Sequence, residues 1–216
     1  MTKKAKIKKE LLKWFSVNKR SFPWRNKNIS FYKLLISELF LWKTRANTVA
    51  FFIKFFFEKY SSTQKIQTVP ERVLARDIKK LGLSNRRTKQ LKKIFQDYSN
   101  KNIPKQEKLF RERFHVGQYV ARSVLLIYYD LKLFPVDQNI KRFFTRVFDY
   151  DIESTRKIST KDETFLNYFV KKGNKEIVWA IIDFSTLVCK NRNPKCKECT
   201  INYHCNYFKK ITIKNR

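Results

Sequence analysis

Residues 104–129 read PKQEKLFRERFHVGQYVARSVLLIYY. Pro104 leads into a short helix, Gly117 marks a turn, and the apolar-rich run 118–129 reads as a second helix. The same signals recur outward from this pair. Residues 7–19 form a basic amphipathic stretch carrying Leu11, Leu12 and Phe15, broken by Ser21-Phe-Pro-Trp-Arg25. Ser30 is placed to cap a helix running to about Thr44, and a Phe-rich helix covers roughly 46–60. Pro70 opens the next helix and Gly82 closes it. Ser84 begins a helix over 84–99, with Leu91, Ile94, Phe95 and Tyr98 at helical spacing. Asp137 starts another, carrying Ile140, Phe143, Phe144 and Val147. Thr160-Lys-Asp-Glu163 fits a capping box, and Asn174 is placed to cap a last long helix ending near Val188. There is no sustained period-2 alternation, no Gly/Ser linker and no internal repeat, so the chain is expected to be all-α.

Lys and Arg number 49 against 18 Asp and Glu in 216 residues, a formal charge of +31. A hydrophobic content of 43% is enough for a core and excludes a disordered polyelectrolyte. No apolar run approaches the ~18 residues needed to span a bilayer; the Phe-rich stretch 51–57 is broken by Lys54. The basic N-terminus has no apolar region after it and is not a secretory signal. A cytoplasmic, nucleoid-associated monomer is expected. Such a charge on a folded chain calls for a polyanion, nucleic acid before a membrane surface. Residues 79–93 supply Lys79, Lys80, Arg86, Arg87, Lys89, Lys92 and Lys93 with no acid. Apolar helix positions interrupt this run, so one face packs and the other is free to follow a DNA backbone, with Arg86 and Lys89 as candidate contacts.

Three further groups invite chemistry. On the helix 31–42, Phe31, Leu34, Leu35, Glu38 and Trp42 share one side, which centres the Glu38 carboxylate on an apolar stripe. A carboxylate there needs a cation beside it or a proton upon it, and the plain reading is a buried ion pair. Asp137 reads first as an N-cap, a role that also holds a carboxylate rigid and ionised at a positive helix end. His115-Val116-Gly117-Gln-Tyr119 joins two helices, where backbone N–H groups suit a phosphate. All four cysteines, Cys189, Cys196, Cys199 and Cys205, fall within one C-terminal segment. This clustering argues for metal rather than disulfides, with Zn²⁺ and a [4Fe–4S] cluster equally compatible with the spacing.

Together these pieces resemble the helix-hairpin-helix DNA glycosylase superfamily, which includes endonuclease III and MutY adenine glycosylases. The resemblance runs from about residue 11 to 208. It is carried by the cysteine spacing, Phe22-Pro-Trp-Arg25, Ser37-Glu-Leu, Val116-Gly-Gln-Tyr119 and Val136-Asp-Gln-Asn-Ile-Lys-Arg142, in that family's order. Ile78-Lys-Lys-Leu-Gly-Leu-Ser-Asn-Arg-Arg87 and Ile182-Asp-Phe-Ser185 are closest to thymine-DNA glycosylases acting on T/G mismatches. The resemblance implies two lobes, a six-helix bundle over 30–135 and a [4Fe–4S] domain from 1–29 plus 136–216. It implies duplex DNA with mismatched or damaged pairs as partner, Asp137 as the catalytic aspartate, and Glu38 as the pocket residue facing the extruded base. Tyr119 stands where bifunctional members carry a Schiff-base lysine, which implies a monofunctional enzyme using water. Two departures stand out. The hairpin's first glycine is His115, and Trp42-Lys43 replaces the Gln-Gln or Arg-Arg that fills or probes the gap left by the flipped base. The expected activity is removal of thymine and uracil opposite guanine. The alternatives are a MutY-like adenine glycosylase without the domain that reads 8-oxoguanine, and a non-catalytic binder of DNA structure.

Overall fold

The computed structural model describes residues 1–96, 103–153, 157–170 and 174–214. Among these residues the regular structure is entirely helical. In chain order the α-helices are α1 (Lys3–Asn18), α2 (Phe31–Leu41), α3 (Ala46–Lys59), α4 (Thr63–Thr68), α5 (Glu71–Asp77), α6 (Ser84–Phe95), α7 (Glu107–Phe114), α8 (Gln118–Tyr129), α9 (Gln138–Phe148), α10 (Thr160–Asn167), α11 (Glu176–Leu187) and α12 (Asn206–Lys214). Tyr98 and the expected end of its helix lie outside the described residues.

The chain divides into two compact units, 21–129, and 1–20 with 130–216. These boundaries differ from 29/30 and 135/136. At the first of them the reason is aromatic: Phe22 and Trp24, stacked at 4.7 Å and both buried, carry the segment after residue 20 onto α2.

In the 21–129 unit α2 is the central element. Leu34 to Phe40 are buried without interruption, because α3 and α8 both pack on this helix. The Ser30 hydroxyl accepts from the Lys33 N–H and starts it, as its residue type requires. α4 is a helix that the sequence pattern does not announce. It is a six-residue piece capped by Ser62 and packed on α6, too short for a periodic signal. α5 also packs on α6, and α7 on α8.

In the other unit α11 lies against α1 and α9. Ile7, Leu11 and Phe15 of α1 meet a core containing Phe143, Phe144, Ile177, Ile181 and Phe184. Two caps fall elsewhere than expected. Ser159, not Thr160, caps α10 and accepts from the Asp162 N–H at 3.1 Å. Lys175 occupies the position before α11 and makes no side-chain cap, so Asn174 is not the cap. An ion pair ties α11 to the end of α1. Asp183 is fully buried, and it accepts from Arg20 Nε and Nη2 at 2.7 Å and from the Arg20 backbone N–H at 3.0 Å. Removing the guanidinium leaves a buried carboxylate short of its cation, the costly way to break such a pair. Arg20→Met is therefore expected to lower unfolding stability by about 3 kcal/mol, measured by urea denaturation. A loss under about 0.5 kcal/mol, the usual range for surface substitutions, would show the pair to be solvent-screened.

Candidate functional site

Glu38 sits on α2 with 3% of its surface exposed, between Ser37 and Leu39, also buried. Four residues on, and so on the same helical face, α2 ends at Trp42, whose indole is 38% exposed. The loop that follows is held from α6. Arg87 is buried and donates from Nη2 to the Trp42 carbonyl at 2.6 Å and to Thr44 Oγ1 at 2.8 Å. The Thr44 hydroxyl in turn donates to the Leu81 carbonyl at 3.0 Å. Lys43 takes a left-handed backbone, φ 56°. Above the indole stand the Arg86 guanidinium at 4.5 Å and Lys43 Nζ at 5.1 Å. Trp42, Lys43 and Arg86 are thus brought together; Lys89 is exposed further along α6.

Just before α6, Gly82 (φ 72°) and Leu83 (φ 52°) are both left-handed, and the Leu83 side chain is 45% exposed. Sequence pattern alone does not mark Leu83, Thr44 or the burial of Arg87. The one available signal was an apolar residue placed directly after a glycine amid cations.

The hairpin between α7 and α8 shows the cost of the departure at His115. That residue ends α7 in the left-handed region, φ 48° and ψ 43°, where a side chain costs about 1–2 kcal/mol. Its carbonyl accepts from Gln90 Nε2 at 3.2 Å. Burial, then Lys93 and Arg113, push its imidazole below the usual histidine range. Val116 is buried, so its side chain packs and only its backbone is left for a ligand. Gly117 is exposed; its φ is not left-handed, and an added Cβ would meet nothing within 4 Å. Neither backbone strain nor packing requires glycine there; what it leaves is bare main chain at the start of α8. Glu107 joins the two helices, accepting from Gln118 Nε2 at 2.9 Å and from Arg122 Nε at 2.7 Å. Tyr119 lies partly exposed in the first turn of α8.

Asp137 and the cysteines belong to the other unit. Asp137 is the N-cap of α9. Its Oδ1 accepts from the Ile140 N–H at 2.8 Å and its Oδ2 from Asn139 Nδ2 at 2.9 Å. Asn139 Oδ1 then accepts from Arg142 Nη2 at 3.0 Å. Arg142 also donates to the carbonyls of Ser185 at 2.9 Å and Cys189 at 3.1 Å. A continuous hydrogen-bonded path therefore joins the aspartate to the first residue of the cysteine segment. Arg142 closes the motif at 136–142, and its bonding role is set by the acceptors that α11 brings to it.

All four cysteines line one cavity, with Val147, Phe184, Ile201 and Phe208 among its walls. They are free thiols. Burial pushes Cys199 up to about 12 and raises Cys196 and Cys205 in the same direction. Arg146 braces the segment, donating to the carbonyls of Lys190 at 2.6 Å and Asn191 at 3.1 Å. Among the described residues no three His, Cys, Asp or Glu side chains are grouped so as to hold a metal ion.

A family model described as HhH-GPD superfamily base excision DNA repair protein matches residues 36–166. The chain belongs to the HhH-GPD superfamily. It is 30% identical over 207 residues to a thymine/uracil-DNA glycosylase of Methanothermobacter thermautotrophicus, across 94% of this chain and 93% of that one. An adenine DNA glycosylase of Mycolicibacterium smegmatis is 25% identical over 92% of this chain and 68% of its own. Among solved structures, a thermostable thymine-DNA glycosylase superposes with a TM-score of 0.86 at 30% identity, over 96% of this chain and 97% of that one.

Within this HhH-GPD chain the His115 position offers a clean test. Glycine removes the left-handed penalty and keeps the carbonyl that Gln90 uses. His115→Gly is expected to stabilise the protein by up to about 1 kcal/mol, read from the urea midpoint at an unchanged slope. Destabilisation would mean that the imidazole itself packs productively.

Proposed function

We propose that this HhH-GPD protein is a monofunctional DNA glycosylase that removes thymine, and uracil, opposite guanine, acting as a monomer on duplex DNA in the cytoplasm. The observation that carries the reading is the near full-length similarity to a thymine/uracil-DNA glycosylase, combined with three positions to which the family resemblance gives roles. Glu38 is buried in α2, Asp137 is fixed at the α9 cap, and a phenol stands at Tyr119. A T/G wobble pair is weaker than a Watson–Crick pair, so extruding its thymine costs less. Glu38 then faces the edge of the base: ionised, it accepts from thymine N3–H, and protonated, it donates to a carbonyl. Asp137, with both oxygens already engaged by Ile140 and Asn139, is held still. Its charge stabilises the positive sugar as the N-glycosidic bond breaks, and it orients the attacking water. With tyrosine at 119 no amine stands ready to form a Schiff base. The hairpin's bare main chain at Gly117 supports a phosphate contact, and Trp42 supports stacking in the gap left by the flipped base.

The cysteines fit a [4Fe–4S] cluster. All four thiols line one cavity, and four cysteine thiolates are the donor set that such a cluster takes. Cys189, Cys196, Cys199 and Cys205 would hold it, and its contribution is to fold the segment they span.

Single-turnover incubation with T/G, U/G, A/8-oxoguanine and T/A duplexes, followed by alkaline cleavage, tests the assignment. Excision is expected from T/G and U/G, little from A/8-oxoguanine and almost none from T/A. Faster adenine release would move the protein to the adenine glycosylases, and inactivity on all four to a non-catalytic binder. Asp137→Asn keeps much of the cap and removes the charge; it is expected to abolish excision while mismatch binding persists. Gly117→Ala is expected to leave the urea midpoint unchanged and to weaken binding of every duplex alike, since phosphate contacts carry no sequence information. Cys199→Ser is expected to lose absorbance at about 400 nm from iron–thiolate ligation; zinc without iron in anaerobically purified protein would refute the cluster.

A further inference from the structure

A surface tryptophan ordinarily samples several rotamers and must be ordered when it binds. Trp42 is prepared in advance by two consecutive arginines of α6. Arg87, buried, holds its carbonyl and the neighbouring Thr44 hydroxyl, which fixes the main chain. Arg86, exposed, places its guanidinium 4.5 Å from the indole centroid and so restrains the ring. The left-handed turn at Lys43 follows directly and puts that residue's ammonium near the same ring. A guanidinium that leaves the indole for a phosphate gives up its cation–π contact.

We propose that Arg86 is a positioning residue for Trp42, holding the indole in the orientation in which it stacks within the space vacated by an extruded nucleotide. The proposal rests on the DNA-glycosylase reading above and goes beyond it in two respects. It removes Arg86 from the set of backbone contacts and leaves Lys89 in it. It also makes gap filling a matter of stacking, which tolerates any base because every base has a π-face. Discrimination for the opposite guanine then lies in the ease of extrusion rather than in hydrogen bonds from this loop.

A duplex holding a stable abasic analogue opposite 2-aminopurine reports the stack without excision, through quenching by the indole. Wild type is expected to quench, and Trp42→Ala and Arg86→Ala to lose most of that quenching. On T/G, Arg86→Ala is expected to slow excision by about fivefold, the scale of one exposed cation–π contact. The double variant Trp42→Ala/Arg86→Ala should be no slower than Trp42→Ala alone, since the two residues act as one unit. The slope of log K on log salt should stay at the wild-type value. A slope reduced by about 0.9 with quenching intact would make Arg86 a phosphate contact and overturn the proposal, as would multiplicative losses in the double variant. Quenching by a wild type that excises neither thymine nor uracil would end the substrate assignment and leave the positioning role supported. Equal excision and equal quenching by wild type and Arg86→Ala would end the positioning role alone. Arg86 is exposed on a helix, so the alanine variant is expected to fold, which circular dichroism checks.

Discussion

Lys and Arg outnumber Asp and Glu by 49 to 18, so most cations in this protein have no carboxylate to meet. Several that enter the structure are met by main-chain carbonyls, chiefly the ones a helix leaves unsatisfied at its C-terminal end. Arg87 takes the Trp42 carbonyl at the end of α2, and Arg142 takes Ser185 and Cys189 at the end of α11. Lys3 takes Val147 in the last turn of α9, Lys8 takes Phe169 beyond α10, and Lys92 takes Gln67 and Val69 at the end of α4. The negative end of the helix dipole favours the same arrangement. A chain with few acids thus stitches many of its helix ends together through main-chain carbonyls.

The candidate site residues depend on these stitches. The Trp42 loop is anchored through Arg87, and Asp137 is joined through Asn139 and Arg142 to the start of the cysteine segment. Where a carboxylate is used instead, it does structural work: Asp183 for Arg20, and Glu107 across the hairpin. Three non-glycine residues held left-handed, Lys43, Leu83 and His115, lie beside the exposed indole, beside the basic run and in the hairpin. Such strain persists where surrounding contacts over-determine the backbone. The Arg87 and Gln90 bonds to neighbouring carbonyls supply part of that determination.

Helix content, the Ser30 and Asp137 caps, the turn at Gly117 and the clustering of the cysteines were all legible in the sequence, because each is a local matter of period, residue type or spacing. The order of motifs identified the family for the same reason, since spacing along a chain survives where overall identity has fallen to 30%. α4 and the shift of the α10 cap from Thr160 to Ser159 escaped, because a six-residue helix has no period to read and two neighbouring hydroxyls are equivalent until one meets an N–H. Arg86 and Arg87 are indistinguishable as letters. One turned inward to a carbonyl and the other outward onto an indole only when α6 was set against the loop after α2. Residue chemistry and local period were determined by the sequence itself. Which of many identical cations became internal fasteners was decided by tertiary structure, because a guanidinium's role depends on the acceptor that packing brings to it.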